Sequence, residues 1–234
     1  MIGIIDSGEK IVIDGIVLYV DAAQLRSYPG SGTSWIDLSG GGNTGTLTNG
    51  PTFNSENGGA IVFDGTNDFI NFGNRNLGVD VSNKSMMAWV RLGVINNISG
   101  IIDKQFDNGG ANYGGWGFWV GSNRKLWWWP QGGQDLRDNG PATVGNNTWS
   151  HIAVVWNTST DNARFFINGT LNSSITNTNA VEKSSGSSNL NIACFRSGQG
   201  FVTGRIGNTI VYNRILTDTE VLQNYNAQKS RFGL

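Results

Sequence analysis

A cluster of tryptophans is the most chemically suggestive feature of the sequence. Five of its nine tryptophans fall within fourteen residues: Trp116, Trp119, Trp127, Trp128 and Trp129. Successive side chains of a strand point to opposite faces, so we expect Trp127 and Trp129 on one face and Trp128 on the other. Exposed indole rings suit the apolar faces of sugars or the centre of a protein interface. Packing in the core of the fold is the structural alternative.

Polar residues on either side of this cluster are candidates for binding sugar hydroxyls. Asp103 and Asp107 precede the tryptophans. Further amide and carboxylate groups come from Asn112, Gln131, Gln134 and Asp135. The tryptophans with Asp103 and Asp107 therefore form the predicted glycan-binding or interface site.

Calcium is the one ion that the sequence suggests, because it prefers carboxylate and carbonyl oxygens from loops. Asp21, Asp64 and Asp68 are the candidate ligands. The segment Asp64-Gly65-Thr66-Asn67-Asp68 is a tight acidic turn between two apolar runs. It could offer two carboxylates to one calcium, or it could form Asx turns that need no metal.

Residues typical of nucleophilic catalysis are few. His151 is the only histidine, and its strand-like surroundings favour a hydrogen-bonded sheet residue. The sequence has no G-x-S-x-G motif, which typically presents a nucleophilic serine. Cys194 lies between alanine and phenylalanine and is expected to be a small buried residue.

Composition favours a strand-and-turn protein. The 234 residues include 34 glycines but only 14% charged residues, whereas 11% are aromatic. Such a chain is too aromatic for disorder and too poor in charge for a coiled coil. Its net charge of −1 without a basic cluster excludes the usual nucleic-acid footprint. No apolar run is long enough for a membrane span, and the start does not resemble a secretion signal.

Short apolar or alternating runs between glycine, asparagine and serine predict many strands. Asn168-Gly169 predicts a type I′ hairpin turn. Thr217, with Glu220 three residues later, predicts the start of one C-terminal helix. We expect residues 14–234 to form one domain and residues 1–13 to form an arm, as an attachment element or edge strand.

Several segments, taken in order, resemble the laminin-G-like branch of the concanavalin A-like lectin/glucanase superfamily. They include DGIVLYVDA at 14–22, IVFDGTNDFI at 61–70, SMMAWVRL at 85–92, TWSHIAVVW at 148–156, RFFINGTL at 164–171 and the segment at 204–234. The opening and closing segments are similar to the versions carried by capsid-decoration or fibre proteins of tailed bacteriophages. The resemblance covers residues 14–234.

This resemblance implies an all-β, two-sheet antiparallel jelly-roll sandwich with one short C-terminal helix. It implies core positions for Trp89, Trp149, Trp156, Phe63, Phe165 and Ile210. Enzymes of the glucanase branch carry a Glu-x-Asp-x-Glu pattern, and none of the four glutamates lies in one. We therefore expect no enzyme and no required cofactor, although several relatives bind a structural calcium.

The expected function is a non-catalytic structural or interaction module of a phage particle, as a capsid-decoration, fibre or neck protein. Its partners would be other virion proteins, and it would form a homo-oligomer; nucleic acid and membranes are not expected partners. The alternative is a lectin for adhesion to bacterial surface polysaccharide, and a glycan hydrolase is the remote one. The expected location is the virion, after synthesis in the host cytoplasm.

Overall fold

The computed structural model describes residues 9–80, 82–107, 113–130, 135–177, 185–196 and 198–234. In these residues two antiparallel sheets pack face to face, and a single α-helix, α1 (Asp218–Lys229), follows the last strand. The predicted fold class, an all-β sandwich with one short C-terminal helix, is confirmed. No helix in these ranges is long and apolar enough to span a membrane.

Each sheet has eight strands in the described residues. Sheet A has the order β16 (Thr170–Thr176), β15 (Asn162–Ile167), β14 (Trp149–Asn157), β7 (Lys84–Leu92), β18 (Thr203–Tyr212), β5 (Ala60–Asp64) and β4 (Thr52–Asn54), and β1 (Ile16–Asp21) also pairs with β18. Sheet B has the order β13 (Leu136–Arg137), β12 (Leu126–Trp129), β11 (Gly117–Gly121), β8 (Ile98–Asp103), β17 (Asn191–Ile192), β6 (Phe69–Asn71), β3 (Gly45–Thr48) and β2 (Ser34–Trp35). A separate ribbon joins β9 (Phe106–Asp107) to β10 (Tyr113–Gly114).

The core between the sheets is built from alternate residues of facing strands. Phe63, Trp156 and Phe165 lie in it, as expected. Trp89, Trp149 and Ile210 are also buried, but they lie in two other clusters on the outer face of sheet A. The expected core positions are therefore confirmed for all six. They divide between two faces because sheet A is covered on both of them.

Helix α1 and the 3-10 turn Ser230–Phe232 provide that second cover. Thr217 caps the helix by accepting the Glu220 backbone N–H, and the Glu220 side chain accepts the Thr217 backbone N–H in return. This capping box is the predicted one. Val221 of the helix and Phe232 of the turn are buried against the outer face of sheet A.

The predicted hairpin turn lies between β15 and β16. Asn168 and Gly169 both have positive φ, 50° and 75°. A type I′ turn requires positive φ at both central residues, which explains the Asn-Gly pair. An added Cβ at Gly169 would also come within 2.9 Å of Tyr225 on α1, so this glycine allows the turn to approach the helix.

Residues 9–13 form no strand, and Lys10 and Val12 are hydrogen-bonded to α1. The backbone N–H of Val12 donates to Asn224 Oδ1 at 2.8 Å, and the Tyr212 hydroxyl donates to the Val12 carbonyl at 2.8 Å. Ile11 and Val12 pack on the same outer cluster of sheet A. This part of the predicted arm is therefore docked on the domain, whereas residues 1–8 lie outside the described residues.

Candidate functional site

Strand alternation divides the tryptophan cluster between two environments. Trp116 and Trp128 are 0% exposed and belong to the core between the sheets. Their rings stack at a centroid distance of 6.4 Å. Neither ring can reach a ligand from that position, so the prediction that they contact a glycan or partner does not fit the structure.

The other three tryptophans lie on the outer face of sheet B. Trp119 on β11 is directly opposite Trp127 on β12, and its ring stacks on Trp129 at 6.2 Å. Trp127 and Trp129 are half-buried, whereas Trp119 is only 2% exposed. The predicted split, with Trp127 and Trp129 on one face and Trp128 on the other, is the one observed. Trp119 supports the two rings that solvent reaches.

Two glycines of β11 give the indole rings room to lie across the sheet. An added Cβ at Gly117 would come within 2.4 Å of Trp119 Nε1, and one at Gly121 within 2.6 Å of the Trp127 ring. Any side chain at either position would push an indole off the strand. The sequence GFWVG at 117–121 therefore carries a signal for a flat aromatic surface that alternation alone does not give.

Two further side chains join this surface, and sequence reasoning missed both. The Phe195 ring meets the Trp119 ring edge-on at 4.6 Å. The Arg137 guanidinium lies 4.0 Å from the centre of the Trp127 ring, and its Nη2 is 3.1 Å from Asp135 Oδ2. We call this surface the tryptophan face: Trp119, Trp127, Trp129, Arg137 and Phe195.

Asp103 lies beneath the tryptophan face as a support. It is fully buried at the end of β8, where a bulge opposite Phe118 and Trp119 changes the register. Its carboxylate accepts Trp119 Nε1–H at 3.0 Å and the backbone N–H groups of Gln105 and Arg196 at 3.1 Å each. Burial raises the pKa of Asp103 to about 7, although these hydrogen bonds oppose the rise.

Asp103 thus fixes the Trp119 ring and the segment that carries Phe195. Its oxygens are turned to this chain, which differs from the sugar-binding role predicted for it. The side chain of Asp107 lies outside the described residues. Cys194 is buried, as predicted, and its backbone carbonyl crosses Gly100, where an added Cβ would lie 2.2 Å from it.

The carboxylates proposed for calcium are engaged with protein groups. Asp21 Oδ1 is 2.7 Å from Arg231 Nη1, and Asp21 Oδ2 accepts the Tyr19 hydroxyl. Asp64 accepts the Thr66 backbone N–H at 2.7 Å, which is an Asx turn. Asp68 Oδ2 accepts the Asp64 backbone N–H at 3.1 Å, and burial raises the pKa of Asp68.

Calcium binding at Asp64 and Asp68 stays a prediction. In the part of the chain that the structure describes, no three His, Cys, Asp or Glu side chains have the spacing to hold a metal ion. Calcium also requires six or more oxygen ligands. Asp21 instead joins β1 to the C-terminal 3-10 turn through Arg231, and Asp64 and Asp68 shape the turn between β5 and β6.

His151 is buried on the outer face of sheet A, away from the tryptophan face. Its ring lies 5.3 Å from the Trp89 ring and 5.9 Å from the Tyr225 ring of α1. Its backbone N–H donates to Asn168 Oδ1, but Nδ1 has no hydrogen-bond partner among the described residues. Burial lowers the pKa of His151 to about 3, so the ring is neutral at physiological pH.

Comparison with known families agrees with this architecture. The Laminin_G_3 family, described as the concanavalin A-like lectin/glucanases superfamily, matches residues 64–222. The chain belongs to this superfamily. A search of curated proteins finds no match to the chain.

Solved structures share the fold at low sequence identity. The Trypanosoma rangeli sialidase in complex with sialic acid aligns with a TM-score of 0.66 and 14% identity, over 93% of this chain and 33% of the sialidase chain. The binding domain of botulinum neurotoxin serotype G aligns with a TM-score of 0.66 and 20% identity, over 92% of this chain and 51% of the domain. The serotype D binding domain gives a TM-score of 0.66 at 14% identity, over 93% and 53%. The chain thus spans a third to a half of these proteins.

Proposed function

We propose that this protein is a non-catalytic module that binds carbohydrate through the tryptophan face. The observation that carries the proposal is the position of Trp127 and Trp129. Both are half-buried on an outer sheet face, whereas α1 packs on the opposite side of the sandwich. Tryptophan rings fixed at a surface bind the apolar faces of sugars at little cost in conformational entropy.

The rigidity of the surface supports a binding role. Trp119 holds Trp129 by stacking and is itself fixed by Asp103 at 3.0 Å. Gly121 lets the Trp127 ring lie against the sheet, and Arg137 lies over that ring. A site whose rings are already oriented loses less entropy when it binds a ligand.

The environments of the carboxylates favour binding over hydrolysis. Most glycosidases use two carboxyl groups on either side of the scissile bond, although sialidases use a tyrosine nucleophile. Asp103 is fully buried and accepts three hydrogen bonds from its own chain. Glu56 pairs with Arg205 and Glu220 with Arg214. The fold relatives include a sialidase and toxin binding domains, and the second group is the better functional parallel.

The first test is binding to an array of bacterial polysaccharides, with the double variant Trp127→Ala/Trp129→Ala. We expect selective binding by the native chain and a loss of more than about tenfold in affinity in the variant. Phe53→Ala is the matched control, because Phe53 is a half-buried aromatic residue on sheet A. Trp128→Ala is unsuitable, since it would open a cavity in the core. Selective binding that survives the double variant would place the site elsewhere.

We also infer that the module is a component of a phage particle. It attaches to the particle through the surface beside its N-terminal segment. The sequence resemblance of its two ends supports this. Ile13 and Leu25 are each 79% exposed, and Ile11, Ile13 and Ile16 line a neighbouring cavity of about 340 Å³. Exposed apolar side chains around a cavity are typical of a protein contact.

Ile13→Glu tests the attachment. The variant leaves the hydrogen bonds of Val12 with Asn224 and Tyr212 in place, so we expect it to fold normally. We expect it to lose co-sedimentation with particles that lack the native chain, while an exposed apolar control, Val94→Glu, retains it. Normal attachment of Ile13→Glu would reject this surface.

A further inference from the structure

Arg137 is held in an orientation suited to a planar anion. Its guanidinium lies 4.0 Å from the centre of the Trp127 ring, and one nitrogen, Nη2, contacts Asp135 at 3.1 Å. The side chain is nevertheless 59% exposed. Among the described residues, Nε and Nη1 of Arg137 have no hydrogen-bond partner. Stacking therefore fixes the plane of the group and leaves part of its donor fork available.

Two guanidinium groups lie against aromatic rings of the tryptophan face. Arg137 lies over Trp127, and the guanidinium of Arg196 lies 4.6 Å from the centre of the Phe195 ring. Two acids with described side chains lie close by: Asp103 is fully buried, and the Asp135 side chain is only 18% exposed. Arg137, at 59%, is much more open to a ligand on the tryptophan face than either of them.

We propose that the tryptophan face selects carboxylated sugars, with Arg137 as the residue that binds the carboxylate. This inference rests on the proposed function and deepens it. The sugar ring lies on Trp129 and on the exposed part of Trp127. Its carboxylate accepts hydrogen bonds from the open edge of the Arg137 guanidinium, in the geometry that favours arginine over lysine.

The test compares each polysaccharide of the array with its carboxyl-reduced form, in which –COO⁻ has become –CH₂OH. The full chain is used, and affinity is measured by biolayer interferometry at two salt concentrations. We expect the acidic form to bind more than about tenfold tighter, because hydrogen bonds between charged groups are strong. Added salt should reduce that preference.

Three variants assign the effect to one side chain. Arg137→Gln should remove the preference for the acidic form, and Arg137→Lys should retain only part of it, because lysine keeps the charge but loses the fork. Arg26→Gln is the control: it makes the same charge change at an exposed arginine beside the cavity at Ile13. It should keep the full preference.

The outcomes separate this inference from the function on which it rests. Equal binding of the acidic and reduced forms, or ligands that are all neutral, would overturn the selection of carboxylates and leave carbohydrate binding standing. A preference that survives Arg137→Gln would overturn the role of Arg137. Failure to bind any polysaccharide in either form would overturn both proposals.

Discussion

The two sheets of the sandwich carry aromatic clusters on their outer faces, and the two clusters differ in how far they are buried. On sheet A, Trp89 stacks on Phe232 at 4.2 Å and lies beneath Tyr225 of α1. On sheet B, Trp127 and Trp129 remain half-buried. The first cluster attaches the C-terminal segment to the domain. The second cluster has the same kind of side chain, and no helix of the described residues packs over it.

The indole N–H groups show the same contrast. Trp89 Nε1–H donates to Gln228 Oε1 at 3.0 Å, and Trp149 Nε1–H donates to Asn57 Oδ1 at 2.9 Å. Trp127 Nε1 has no hydrogen-bond partner among the described residues. Unpaired indole N–H groups also occur in the core, at Trp35 and Trp128. The contrast therefore describes how the C-terminal segment is fixed to sheet A and carries no argument about a ligand.

The largest expected effect is on the covered cluster. Trp89→Ala should lower the free energy of unfolding by about 3–5 kcal/mol, because it leaves a cavity between sheet A and α1. Urea unfolding followed by circular dichroism measures it. Trp89→Phe keeps most of the volume and should be clearly milder, which provides a readout if Trp89→Ala does not fold. A small loss in Trp89→Ala would mean that the packing of Phe232 and Tyr225 on Trp89 contributes little to stability.

The next effect is the dependence of stability on acid through His151. Its pKa in the folded protein, about 3, lies below the ordinary value of 6.5. The unfolded chain therefore binds a proton first, and stability is lost as the pH falls from about 6.5 towards 3. The slope from this single group is about 1.4 kcal/mol per pH unit. Urea midpoints between pH 4 and pH 7 measure it.

His151→Gln is the matched variant, since it removes the titrating ring and keeps a polar side chain of similar length. The slope between pH 4 and pH 6.5 should become shallower by about one proton. An unchanged slope would show that other groups cause the acid sensitivity.

Asp103, on sheet B, should make stability change with pH in the opposite direction. Its pKa in the folded protein, about 7, lies above the ordinary value of 3.8. Between these two pH values the folded chain therefore keeps a proton that the unfolded chain has lost. This contribution to stability is lost as the pH rises from about 4 through 7. Asp103→Asn should remove that loss, so urea midpoints of the variant should fall less between pH 5 and pH 8. A variant that keeps the native profile would contradict the assignment of the titration to Asp103.

The parts of the fold set by neighbouring residues could be predicted from the sequence. The Asn168-Gly169 turn and the Thr217 cap depend on residues at most three positions apart, and both are found as expected. The split of Trp127 and Trp129 from Trp128 follows from strand alternation alone. These features require no knowledge of which strands are neighbours.

The remaining features depend on contacts between distant parts of the chain. Strand β14 is buried on both faces, so its sequence shows no alternation that would separate Trp149 from the core between the sheets. Phe195 reaches Trp119 only because β17 pairs with β8 and β8 with β11. Asp21 and Arg231, which form an ion pair, are likewise far apart in the sequence. Neither the composition nor the spacing of residues predicts these pairings.

The smallest effect on stability is expected when a half-buried ring of the tryptophan face is removed. Trp127→Ala should lower the free energy of unfolding by only about 1 kcal/mol, because the ring is half-buried and lies against Gly121 instead of filling a cavity. The same change should weaken glycan binding by more than about tenfold. Urea unfolding and biolayer interferometry on one preparation separate the two effects. A destabilisation as large as that of Trp89→Ala, with binding retained, would make the outer aromatic clusters of both sheets structural.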